Sequence, residues 1–188
     1  MTGRGVLLAV CLVTAACGRE PAGTAVPLAP VSPERLGLGT PATAADVARW
    51  DIDVNARGDG LPAGSGTAAD GRRVYAARCA ACHGPSGEGG AGSQLVAPAR
   101  PAAAARRNVA THWPYAPPLF DYIRRTMPPD APGSLPDTEV YAVVAFLLSE
   151  NRITGPGFVA DATSLPRVMM PSRGRFVPDD RRGGREVK

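Results

Sequence analysis

Five consecutive residues, Cys79-Ala80-Ala81-Cys82-His83, bring two thiols and an imidazole within about one helical turn of each other. Thiols at that spacing can each form a thioether to a porphyrin vinyl group. The imidazole that follows directly is then set beneath the metal as a ligand. The pattern is that of covalent c-type haem attachment, with Cys79 and Cys82 as the attachment sites and His83 as an axial ligand. Other uses of these residues fit less well. A thioredoxin-like C-x-x-C belongs beside a βαβ pattern, and the sequence has no run of β-branched strand segments. A zinc site needs a second ligand pair. The other cysteines, Cys11 and Cys17, stand near the start of the chain, and the other histidine is His112. A structural disulfide would make no use of His83.

A haem needs a second axial ligand or an open position. Leu119, Phe120 and Ile123 give one apolar face of a short helix that can begin at Pro117-Pro118 and must end before Pro128. Met127 therefore follows the helix on a proline-stiffened loop, where its thioether can ligate the iron. A His/Met pair raises the potential and fills the sixth position, which suits electron transfer rather than ligand activation. Met169, Met170 and His112 are the alternatives. Met170 also precedes a proline but lies in a tail with little core-forming pattern. Pro98 is a candidate for the loop carbonyl that orients His83.

The elements that hold these groups are helical. One helix is expected from about Ala69 to Cys82, with Asp70 near its free amides, and Gly84–Gly90 breaks it. A second, broad apolar helix is expected from Asp137 to Glu150, with Val140, Tyr141, Val144, Phe146, Leu147 and Leu148 facing inward. It should pack across the first helix and against the haem edge. With 22 Gly and 20 Pro in 188 residues, long irregular segments are expected around a small α domain whose core the cofactor partly fills. The formal charge of +4 comes largely from an arginine-rich C-terminal end and does not imply a nucleic-acid partner. No catalytic constellation is present, so the chain reads as an electron-transfer protein rather than an enzyme.

Along the chain, residues 1–17 read as a secretory leader: Arg4, an apolar run Val6–Val13, then Ala15-Ala16-Cys17. Val13-Thr14-Ala15-Ala16-Cys17 resembles a lipoprotein cleavage box, which would place a lipid on Cys17 and tether the protein to a membrane in the bacterial periplasm. Residues 18–45 read as a flexible linker. Residues 46–68 read as an extended arm in which Trp50, Ile52 and Val54 alternate and Trp50 anchors the arm to the domain or to a partner. Residues 69–155 form the haem domain, and 156–188 an irregular basic tail.

These residues together resemble a class I cytochrome c. The resemblance implies an all-α fold of three to four helices around one covalently bound haem, with irregular N- and C-terminal extensions. A finer likeness runs over roughly residues 36–181. Trp50-Asp51-Ile52-Asp53-Val54, Gly60–Gly66, Trp113-Pro114-Tyr115, Phe120–Ile123, Met127-Pro128, Glu139–Ala142 and Met170-Pro171-Ser172-Arg173 are similar to the cytochrome subunit of periplasmic sulfane (sulfite) dehydrogenase of the sulfur-oxidation system. That likeness implies one haem c on Cys79 and Cys82, axial ligands His83 and Met127, and electrons received from a molybdenum-cofactor oxidoreductase. They would pass to another cytochrome or a terminal oxidase. Pro136 stands where that family tends to carry a capping Thr. The competing expectation is a haem sensor or peroxidase-like protein with a labile sixth ligand.

Overall fold

The computed structural model describes residues 39–98 and 107–177. The leader, the lipidation site at Cys17, most of the linker and the end of the basic tail lie outside the described residues. The compact unit that begins at Thr43 carries every element below. In chain order these are α1 (Ala44–Trp50), β1 (Ser65–Thr67), α2 (Ala68–Arg78), α3 (Ala80–His83), α4 (Val109–His112), α5 (Ala116–Thr126), α6 (Asp137–Glu150) and β2 (Val159–Asp161). Two short 3₁₀ turns, Leu165–Arg167 and Arg173–Arg175, follow. The fold is the expected one: α2, α5 and α6 form the frame, and the smaller elements fill its edges.

The core centres on α6, where Val140 through Leu148 are all buried. Helix α2 crosses it at close range. A Cβ built on Gly71 would lie 1.9 Å from the carbonyl oxygen of Ala142, and one on Gly66 would lie 2.2 Å from the Ala142 amide. Only a missing side chain lets the two backbones approach this way, so both glycines are packing requirements. Tyr75 then stacks on Phe146 with centroids 5.0 Å apart. Helix α2 starts one residue earlier than expected. Its N-cap is Thr67, whose hydroxyl accepts from the Asp70 amide at 3.2 Å and donates to the Asp70 carboxylate at 2.6 Å. That hydroxyl holds the Asp70 carboxyl below the usual carboxylate range.

Helix α5 begins with proline in its first turn, where no amide partner is lost. It stops at Met127, whose extended backbone is the conformation a following proline imposes. Helix α6 has Pro136 at its N-cap and no side-chain cap. Its first turn is held instead by Asp137, which accepts two bonds from Arg124 of α5, at 2.8 and 3.3 Å. The same guanidinium donates to the Ile52 carbonyl at 3.1 Å.

Three sequence expectations are corrected. First, Ala44–Trp50 is a helix, not part of the linker or an extended arm. Thr43 and Asp46 form a reciprocal capping box that nucleates it. Trp50 is 83% exposed, so it does not anchor the arm to this domain. The extended stretch begins only after it. There the Val54 amide bonds to buried Asp121 at 3.0 Å, and Tyr141 donates to the Pro62 carbonyl at 2.7 Å. Second, the expected single helix to Cys82 breaks at Cys79, whose backbone leaves helical geometry before α3 resumes. Third, the described part of the tail, read as having little core-forming pattern, contributes to the core. Strand β2 pairs antiparallel with β1, Gly66 opposite Ala160, and Leu165, Met170 and Ser172 are buried.

Candidate functional site

A cavity of about 930 Å³ opens between α2, α3, α5 and α6, and its wall carries Cys79, Cys82, His83 and Met127 together. The break at Cys79 matters here. It falls at the first thiol of the motif, and both thiols and the imidazole line the one space. Cys79 is half-buried and Cys82 exposed. Burial pushes the Cys79 thiol up to about 11, with Cys82 adding a smaller upward push against Arg78.

His83 is oriented by the loop that follows. Positive backbone angles at Gly84, Gly87 and Gly89 fold residues 84–92 into tight turns. The Gly89 amide bonds back to His83 O at 2.8 Å and the Gly92 amide to Cys82 O at 2.8 Å. The chain thereby returns to the imidazole, and His83 Nδ1 lies 2.7 Å from the carbonyl oxygen of Ser93. A carbonyl only accepts, so Nδ1 carries the hydrogen and Nε2 the lone pair. The expected orienter, Pro98, is exposed and makes no such bond. The glycine turns close the loop sooner than a count to the next proline suggests. A Cβ on Gly92 would sit 2.9 Å from both Cε1 and Nδ1 of the His83 ring, so the loop also fixes the ring sterically.

Met127 caps the end of α5 and is half-buried. Met169 and Met170 do not line the cavity: the first is 71% exposed and the second is buried in the core. His112 does line it. Apolar walls come from Leu95, Val109, Leu119, Ile123, Val143 and Leu147, and polar ones from Arg78, Arg107, Trp113 and Tyr122. Nothing in residue type or spacing singles out Gly92, Ser93 or Arg107. Their roles come from backbone course rather than residue type. Tyr75 donates to the Gly84 carbonyl at 2.7 Å, tying α2 to the turn after His83. Burial pushes its hydroxyl up to about 12, with Cys79 and Glu88 adding to the shift.

The donor set fits a haem: two thiols, one imidazole nitrogen with its tautomer fixed, one thioether and a largely apolar enclosure. A frame of three helices closing on a cavity that carries C-x-x-C-H defines a class I c-type cytochrome. The model of the family described as cytochrome c oxidase, cbb3-type, subunit III matches residues 66–147. A chain of the crystal structure of the sulfane dehydrogenase SoxCD from Paracoccus pantotrophus is 33% identical, with a TM-score of 0.68; the match covers 77% of this chain and 73% of that one. No curated protein matches. This chain belongs to the cytochrome c family. Membership implies a covalently bound haem c and a role in electron transfer. Among the described residues no helix is long and apolar enough to cross a membrane.

Proposed function

We propose that this chain is a monohaem cytochrome that accepts single electrons from a periplasmic molybdenum-cofactor dehydrogenase acting on a sulfur substrate, and passes them to another cytochrome or a terminal oxidase. The observation that carries the reading is the convergence of Cys79, Cys82, His83 and Met127 on one cavity wall. A single C-x-x-C-H supports one haem. The 33% identity to a SoxCD chain supports a sulfane dehydrogenase type of partner. The lipoprotein-like box ending at Cys17 supports export and a membrane tether.

The bound group would supply one-electron redox chemistry at its iron. The Cys79 and Cys82 sulfurs would hold it as thioethers, and His83 Nε2 and Met127 Sδ would be the groups that ligate its iron. Ser93 O keeps the imidazole in the required tautomer and makes it a better donor. Leu119, Ile123, Val143 and Leu147 exclude water and so limit the charge screening around the site. With the Met127 thioether available to fill the sixth position, electron transfer would be favoured over the sensor and peroxidase reading.

Expression in a host competent in cytochrome maturation, followed by mixing with a reduced sulfane dehydrogenase molybdenum subunit, tests the assignment. The expected result is a covalently haem-loaded protein that is reduced rapidly on substrate turnover. A loaded protein that stays oxidised rejects the partner. A colourless protein with both thiols free rejects the haem site.

A further inference from the structure

One imidazole stands on the cavity wall with no part in the ligation proposed above. His112 closes α4 and lines the same cavity as His83 and Met127. Its position is fixed. Asn108 and Thr111 cap the turn reciprocally, at 3.2 and 3.0 Å, and the imidazole stands edge-on to Trp113 with centroids 5.4 Å apart. The ring is also exposed, so it exchanges protons with water. The chain has two histidines, and the other one is His83.

We propose that His112 is a redox-linked proton site: it binds a proton more tightly when the cavity has gained an electron. The inference rests on the haem reading. Reduction removes one positive charge from the cavity, and a nearby imidazolium is then repelled less. The balance is simple. One electron enters from the donor protein, and one proton from water adds to a ring nitrogen of His112. Both leave on reoxidation.

The surrounding groups do not duplicate this behaviour near neutral pH. Arg78 on α2 and Arg107 ahead of α4 are guanidiniums, Asp130 after α5 is a carboxylate, and Tyr75 and Tyr122 are phenols. These types titrate away from neutrality, whereas imidazole titrates near it. His83 has its ring N–H engaged by Ser93 O. Helix α6 presents only Val143 and Leu147 to the cavity. The fixed charges therefore set the level of the potential, and His112 gives it a pH slope.

Spectroelectrochemical titration of the holoprotein between about pH 5 and 9 tests this. The wild-type potential is expected to be higher at acid pH and to fall through the histidine range to a lower plateau. A tenfold difference in proton affinity between redox states separates the plateaus by about 59 mV for a one-electron couple. His112→Gln should abolish the slope, and His112→Lys should abolish it near the acid plateau. A flat wild-type potential overturns the proposal. So does an undiminished slope in His112→Gln, which would assign the proton to the haem's own carboxylates. A haem-free protein overturns the haem reading as well, whereas a loaded protein with a flat potential overturns this inference alone.

Discussion

The two sides of the cavity are built by opposite means. On the imidazole side, a glycine-rich loop wraps back on itself and places a carbonyl 2.7 Å from the His83 ring. On the thioether side there is no comparable hydrogen-bonded cradle among the described residues. Met127 is placed by the end of α5 and by a following proline. The difference follows from ligand chemistry. An imidazole has two nitrogens and must be held in one tautomer and one plane. A thioether has a single soft atom on a flexible stem and needs only to be brought near. One side demands orientation, and the other demands position.

The sharpest test of this contrast is paired removal of the two proposed ligands. His83→Ala should reduce the yield of covalently loaded protein to near zero in a maturation host, read as haem absorbance per protein. Met127→Ala should retain the haem, lower its potential and let the reduced protein bind carbon monoxide. Equal losses of loading in the two variants would erase the distinction between the sides.

Next in size is Gly92→Ala. The added methyl would fall 2.9 Å from two atoms of the His83 ring, and the ring must tilt or the loop must open. Loading should persist with an altered visible spectrum and a shifted potential. An unchanged spectrum would show that the loop does not constrain the ring. Asn151→Ala probes the same side from below. Its side-chain oxygen accepts from the Ala97 amide at 3.0 Å, and its Nδ2 donates to the Leu95 carbonyl at 3.1 Å and the Leu147 carbonyl at 2.8 Å, joining the loop to α6. Loss of these bonds should cost about 2 kcal/mol in denaturant unfolding.

The smallest effect concerns the thiols. Burial pushes the Cys79 thiol up to about 11, while Cys82 is exposed. In haem-free protein near neutral pH, an alkylating reagent should therefore modify Cys82 before Cys79, by peptide mass mapping. As pH rises toward that value the thiolate fraction of Cys79 grows and its reaction should speed up.

Much of this architecture is legible in the sequence, for identifiable reasons. Helix α6 is found with both ends because Val140, Tyr141, Val144, Phe146, Leu147 and Leu148 give a broad apolar surface and Pro136-Asp137 stand at its start. The end of α5 is found because Pro128 cannot follow a helical residue easily. The four residues proposed to hold the haem stand out by type and spacing. The acceptor on His83 does not, since every residue carries a carbonyl and only the loop's course selects Ser93. Helix α1 had a readable signal in Thr43 and Asp46, but the alternation of Trp50, Ile52 and Val54 pointed to an extended arm. The packing of the tail rests on Leu165, Met170 and Ser172, which are too scattered to show any period.

The ribbon of β1 and β2 clasps residues that stand almost a full domain length apart, Gly66 against Ala160. Such a clasp gains nothing until the helices between have been placed, since the whole intervening loop must close first. With three residues in each strand it is also a small unit to break. Amide exchange should therefore see this seam part before the buried helix behind it, and a pull on the chain's flanks would test the seam first.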